Sequence, residues 1–450
     1  MSGVPTGPNH PRLDRRSFLR AGVALGGVAL LTGCGEALHD PGVPPLPGGD
    51  TAPADKATWR VQSDPLSAAT GQGALDGLSV AVTDLFAMRG QQIGAGNPRW
   101  LAQARTEPVT AAAVSRLLTH GAAITGLAQT VDFGFGHAGT NSHYGTPANA
   151  AAVGRIPGGA TSGATTAVAR GTADIGLGPD TSGSIRIPAA FQGLYGFTAT
   201  RGFVPTDGLM PLSPTLDSIG WVCAGAATLA AVGDALLPST SETGFDSAVI
   251  APGLLSVADD RVQASMQAAV TGWRRSSLPR LTESDLDIAD LPDWHDAVIA
   301  VQGYEAWLQH GDWLSTATGA LGDEARENFL AAAQVSEPTY RRRLTQLESA
   351  AETVRAFVGS RLLILPTTSS PAPLSSNDPG GTRISAMLRV TGMLTSVATV
   401  AGLPTATVPL TSPDGPPVGL SLIGPSGRDR DVLAVAQRVA TTSIASRTSN

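Results

Sequence analysis

Residues 157–188 read PGGATSGATTAVARGTADIGLGPDTSGSIRIP, a run of Gly, Ser, Thr and Ala whose two turns govern the reading of everything around it. Gly158, Gly159 and Gly163 interrupt any regular element and let the backbone turn tightly or approach a ligand closely. Residues 164–170 then predict a helix of small side chains, and 173–177 a short buried strand ending at Gly178. A second turn follows, Asp180-Thr181-Ser182-Gly183-Ser184. It sets a serine behind flexible residues whose N–H groups can converge on one point, as an oxyanion hole requires. Either turn alone is an ordinary connection of an α/β sheet; two of them bracketing one small-residue helix point to a site.

Outward from this stretch the alternation continues. Residues 78–82 predict a strand, 108–120 a helix stopped by Gly121, and 122–127 a strand; 362–366, 405–410 and 418–423 predict late strands and 431–441 a closing helix. This pattern predicts a single α/β domain with a large mixed, mostly parallel sheet flanked by helices on both faces. Residues 263–273, 297–309, 324–333 and 340–360 predict a helical insertion in which core packing is the first reading for Trp294, Tyr304, Trp307 and Trp313, and contact with a substrate the alternative for each.

The ordered motifs closely resemble the amidase signature family. That family's core reads roughly G-G-S-S-G-G-S, a helix, then G-T-D-T-G-G-S-I-R-x-P, a Gly-Phe strand and a Leu-Asp-x-x-G segment. Here the same order is Gly158-Gly159-Ala160-Thr161-Ser162-Gly163-Ala164, Gly178-Pro179-Asp180-Thr181-Ser182-Gly183-Ser184-Ile185-Arg186-Ile187-Pro188, Tyr195-Gly196-Phe197 and Leu216-Asp217-Ser218-Ile219-Gly220. Gly96-Asn97-Pro98-Arg99-Trp100, His143-Tyr144-Gly145-Thr146-Pro147 and Gly402-Leu403-Pro404 look like the branch with plant indole-3-acetamide hydrolases, so the resemblance spans roughly residues 70–440.

The resemblance implies amide C–N hydrolysis by a relay in which a neutral Lys takes a proton from a bridging Ser in a cis peptide, and that Ser takes one from the nucleophile. It assigns the nucleophile to Ser184, and Asp180, Thr181, Ser182, Gly183, Arg186 and Thr161 to the oxyanion and substrate region. The bridging Ser falls 24 positions earlier, on Ala160, and the Lys of an A-V-K-D-L-F strand falls on Thr83 of Ala81-Val82-Thr83-Asp84-Leu85-Phe86. Neither Thr83 nor Ala160 accepts a proton near neutral pH, so Ser184 is left without its base. Thr161, Ser162, Thr165 and Thr166 relay protons only if a base ends the chain; His143 and His137 are the candidates, with His143 first in line as a base although its segment resembles one in family members that keep the full triad, which implies a structural role for it. Read without the family, a Thr at position 83 suits a buried strand and can satisfy a nearby carbonyl, whereas a buried Lys would need a function to justify its desolvation.

The N-terminus reads as a leader. Asp14-Arg15-Arg16-Ser17-Phe18-Leu19-Arg20 is a twin-arginine motif, the apolar run 21–31 is too short to span a bilayer, and Leu31-Thr32-Gly33-Cys34 looks like a lipobox that would acylate Cys34. The expected organisation is therefore a lipoprotein signal over 1–34, a flexible Pro/Gly-rich stalk over 35–60 and the α/β domain over 61–450, exported and lipid-anchored to a membrane. Cys223 is the only other cysteine, so an acylated Cys34 leaves no intramolecular disulfide. Removing Arg12, Asp14, Arg15, Arg16 and Arg20 with the leader takes the net charge from −7 to −10, which argues against nucleic acid as a partner. Nothing in the motifs calls for a cofactor or metal, and the oligomeric state is left open.

Two readings of different class remain: an amide hydrolase of altered relay acting on a small amide, and a non-catalytic lipoprotein that uses the same fold for binding or scaffolding.

Overall fold

Among the residues that the computed structural model describes, 53–239, 243–317, 319–375, 382–410 and 415–445, eleven strands join one sheet. In chain order they are β1 (Trp59–Ser67), β2 (Ser79–Thr83), β3 (Ala123–Ala128), β4 (Ile175–Pro179), β5 (Tyr195–Thr198), β6 (Ile219–Cys223), β7 (Ser247–Ile250), β8 (Arg280–Glu283), β9 (Leu362–Pro366), β10 (Thr405–Leu410) and β11 (Val418–Ile423). Their order across the sheet is β1-β3-β2-β4-β6-β5-β10-β11-β9-β7-β8. The helices are α1 (Pro98–Leu101), α2 (Ala112–Thr119), α3 (Ser162–Ala169), α4 (Arg186–Phe191), α5 (Ala226–Leu236), α6 (Pro252–Ser256), α7 (Asp260–Arg274), α8 (Leu291–Thr316), α9 (Asp323–Ala332), α10 (Glu337–Val358), α11 (Thr382–Ala401) and α12 (Asp429–Ala440).

Strand β9 shows why helices cover both faces. Successive strand residues point to opposite sides. Leu362 and Ile364 join the cluster containing Val262, Met266 and Trp273 of α7 and Val432 of α12. Leu363 and Leu365 join Val298 and Val301 of α8, Val354 of α10 and Leu394 and Val397 of α11. A strand apolar at every position needs a partner on each side, and the two helical layers supply it. The sheet is mixed, but the expected parallel majority does not hold: β2–β3, β2–β4, β7–β8 and β7–β9 are parallel, and the other six pairings are antiparallel. Hydrogen bonding of β6 between β4 and β5, and of β11 between β10 and β9, runs against its neighbours on both sides.

The expected stalk boundary is also corrected. Trp59 and Arg60 belong to β1, which runs antiparallel to β3 with Trp59 opposite Ala128. Trp59 is buried, and its ring lies so close over Gly126 that a Cβ there would stand 2.9 Å from it. Arg60 Nε donates to Asp84 Oδ2 at 2.5 Å, tying β1 to the end of β2. The leader, Cys34 and most of the stalk lie outside the described residues.

What positions the site is the pairing of β2 and β4. They lie side by side and parallel although β3 separates them in the chain, so both end at the same edge of the sheet. That edge carries Thr83 from β2 and the Asp180–Ser184 turn from β4. The carboxyl ends of parallel strands are where open α/β sheets place their ligands.

Candidate active site

The turn after β4 is held by one buried ion pair. Arg186 Nε and Nη2 each donate to Asp180 at 2.9 Å, a bidentate fork with both side chains buried. Asp180 also accepts from Gly183 N at 2.6 Å and Thr198 Oγ1 at 2.7 Å, and Arg186 donates onward to Thr395 O at 2.8 Å and Thr399 Oγ1 at 2.9 Å. Burial alone would raise a carboxylate, but the Arg186 charge and these hydrogen bonds outweigh it and hold Asp180 at about 2. Gly183 has φ +139°, and a Cβ there would lie 2.8 Å from Ile187, so the position is reserved for glycine. Asp180 claims the Gly183 N–H, while the N–H groups of Thr181, Ser182 and Ser184 donate to no group among the described residues. These are the unspent donors an oxyanion would use. Thr181 Oγ1 is fixed on Asp217 at 2.7 Å.

The two relay positions are occupied by side chains that cannot move a proton. Thr83 is fully buried at the end of β2, and its Oγ1 donates to Leu177 O at 2.8 Å, the carbonyl satisfaction expected of a buried threonine. Ala160 is buried with only a methyl group to offer; its carbonyl accepts from Thr130 Oγ1 at 2.8 Å, and the Gly159–Ala160 peptide is cis. Three of the four nearby hydroxyls are committed as well, Thr161 to Pro179 O, Thr165 to Thr161 O, and Thr166 to Ala148 O and Gln192 Oε1, while that of buried Ser162 makes no hydrogen bond among the described residues. Ser184 is buried, and its hydroxyl makes no hydrogen bond among the described residues.

The order of the candidate bases is reversed. His143 faces Asp132, with Nε2 3.1 Å from Oδ1; the Asp132 hydrogen bond raises its pKa and fixes it on a carboxylate that also takes Asn97 Nδ2. The imidazole at the turn is His137, whose Nε2 lies 3.1 Å from Ser182 Oγ. Glu324, in the first turn of α9, accepts from His137 N at 2.7 Å and Ala138 N at 2.8 Å, and Gly159 N donates to His137 O at 2.8 Å. The 137–139 loop therefore sits against the first Gly-rich turn, where a Cβ on Gly159 would stand 2.7 Å from Gly139 Cα. Burial lowers His137 to about 4.

Sequence reasoning did not reach the residues that complete this network. Gln302 of α8 accepts from Ser182 Oγ at 2.9 Å, and Thr395 of α11 donates to Ser182 O at 2.7 Å. The four aromatic residues weighed as substrate contacts serve packing, the role their sequence context favoured. Trp294 joins the α8–α10–α11 core, Trp307 is buried in the main core, Trp313 packs on Trp100 and Phe133, and Tyr304 stacks on Tyr340. A cavity of about 690 Å³ opens between Arg155, Arg261, Arg383 and Met387 and does not include Ser184. Ile384 on its wall packs with Ala138 and Ile187, one layer of side chains from the turn.

These motifs and this fold agree with the comparisons. A family model described as Amidase matches residues 52–280 and 313–433, and the chain belongs to the amidase signature family. It is similar to Amidase 1 of Arabidopsis thaliana, 29% identical over 420 residues that cover 85% of this chain and 96% of that protein. It is also similar to the chloroplastic Outer envelope protein 64 of the same plant, 30% identical over 397 residues; this chain spans 66% of that longer protein. Among solved structures, one titled "Crystal structure of amidase" matches with a TM-score of 0.73 at 27% identity, covering 82% of this chain and 85% of its own.

Proposed function

We propose that this protein binds small amides at the Asp180–Ser184 turn and cleaves them slowly at most, because Ser184 has no proton acceptor. The observation that carries this reading is the pairing of losses: the Thr83 hydroxyl is spent on Leu177 O, and Ala160 offers no polar side-chain atom. The free N–H groups of Thr181, Ser182 and Ser184 still provide polar recognition for an amide oxygen. In serine proteases of another fold, losing the base costs on the order of 10⁶ in turnover while the oxyanion hole alone retains roughly 10³–10⁴ over water. Titration calorimetry and turnover with a panel of aryl and indole amides test the reading. Saturable binding with turnover many orders of magnitude below family enzymes supports it, and rapid hydrolysis or no binding contradicts it.

The same losses favour a second reading, a non-catalytic binding or scaffolding module. Either activity belongs, in this proposal, to a protein exported by the twin-arginine route and held at a membrane through acylated Cys34. Replacing Cys34 by Ser releases the protein from washed membranes if that is so, and Arg15→Lys with Arg16→Lys retains it in the cytoplasm, since Lys does not reproduce the guanidinium geometry.

A further inference from the structure

Ser182 stands where the family pattern quoted above has Gly, between Thr181 and Gly183, and it brings a second hydroxyl to the turn. That hydroxyl, unlike that of Ser184, faces an imidazole: His137 Nε2 is 3.1 Å away, with Gln302 Oε1 on the other side at 2.9 Å. All the parts are held. Glu324 pins the backbone of His137 and Ala138, Thr395 pins the Ser182 carbonyl, and Gln302 projects from the long helix α8. With Ser182 donating to Gln302, His137 donates from Nε2–H; turning the Gln302 amide over and moving the ring proton to Nδ1 reverses both bonds, so that Ser182 donates to His137.

We propose that His137 and Ser182 form a base–nucleophile pair that replaces the missing relay; this rests on the amide-binding reading above. Ser182 Oγ attacks the amide carbonyl carbon as its proton passes to His137 Nε2, and the carbonyl π pair moves onto oxygen, facing the unspent N–H donors of the turn. When the tetrahedral adduct collapses, the C–N bond breaks, His137 returns the proton to the leaving nitrogen, and an amine departs from an acyl ester on Ser182. Water then repeats the sequence, giving a carboxylic acid and restoring both side chains. The charged and titratable groups around His137 are Asp180, which favours its protonation, His295 and Arg186, which oppose it, and the Glu324 carboxylate at its backbone N–H. Burial dominates them and keeps the imidazole neutral above about pH 4, able to accept a proton but as a weak base, which fits slow turnover.

A serine-directed alkyl fluorophosphonate, followed by fragment-resolved mass spectrometry of the peptide carrying both serines, tests the pair on the full protein. The expected result is an adduct on Ser182 whose rate of formation rises through about pH 4 and is flat above it. Labelling falls at least about 100-fold in Ser182→Ala and in His137→Gln, and is unchanged in His143→Gln. If His137→Gln does not fold by thermal melting, His137→Asn takes its place, and the wild-type pH profile needs no variant. An adduct on Ser184 alone, no adduct on the folded protein, or labelling of Ser182 indifferent to His137 overturns the proposal. Calorimetric amide binding is scored separately, so the pair can fail while the binding reading stands.

Discussion

Two halves of one site have been treated in opposite ways. The half built from Asp180, Arg186, Thr198, Thr395 and Thr399 keeps a buried charge pair with its surrounding acceptors and donors satisfied. The half built from Thr83 and Ala160, where the family pattern places a Lys and a Ser, has no group that titrates near neutral pH. The difference follows from what each residue does for the fold. Truncating either member of a bidentate buried pair strands the other charge in the interior, whereas a buried neutral Lys is itself a cost that only chemistry justifies. Polar residues that hold the turn together are therefore structurally required even if hydrolysis stops, and those that only move protons are not.

The largest expected effect lies on the scaffold side. Arg186→Leu leaves Asp180 buried without its partner and should lower stability by about 3–5 kcal/mol in chemical denaturation. A change under about 1 kcal/mol would mean that the pair is not what holds the turn.

Acid should separate the ion pair from the buried imidazoles. His137 and His310, a buried residue of α8 whose Nε2 lies 2.9 Å from Pro211 O, sit at about 4 in the folded protein against an ordinary 6.5, both through burial, so the unfolded chain binds protons first. The contribution of these two histidines should accordingly fall as the pH drops from about 6.5 to about 4, against an opposite contribution from buried Asp217, raised to about 6, and His137→Gln should remove the His137 share of that slope. Asp180, held at about 2 against 3.8, keeps its contribution throughout that window and loses it only as the pH falls from 3.8 through about 2. Melting temperatures across pH 2–8 show whether the two windows are distinct.

The smallest effect belongs to the drained side. Thr83→Val removes one buried hydrogen bond to Leu177 O while preserving shape, so about 0.5–1.5 kcal/mol of stability should go and the already slow hydrolysis should not change. A large loss of turnover would give Thr83 a chemical part that its bond to a carbonyl does not suggest.

Much of this was legible in the chain. Strands β9, β10 and β11 lie on the residues predicted for them, because each is a short stretch of apolar and β-branched residues with Gly or Pro at or beside its ends, a pattern that suits a buried strand. Strand β1 was read in part as stalk because its burial, opposite β3, depends on a pairing 60 residues away. Helix α11 escaped notice because Thr382–Ala401 mixes Thr, Val, Ile and Gly without an amphipathic stripe; it is packed between helices and sends Thr395 and Thr399 to Arg186. The Asp180–Ser184 turn was readable from its own residues. Gln302, Glu324 and Thr395 were not, since each reaches the site from more than 100 residues away and no local pattern marks it. His137 and His143 could not be ranked by sequence for the same reason: only the fold shows which of them meets Asp132 and which meets Ser182.

The most direct test of the account is to rebuild the relay. Thr83→Lys with Ala160→Ser places a base and a bridge at the positions the family uses, beside Ser184. Amide hydrolysis should then rise by orders of magnitude in the double variant and in neither single one, because relay members act in series and are strongly non-additive. Lysine at the fully buried position 83 risks overpacking of about 1–3 kcal/mol, so thermal melting accompanies each rate measurement. The account predicts a double variant much faster than the parent. A folded double variant no faster than the parent, or a parent already as fast as the double variant, contradicts it.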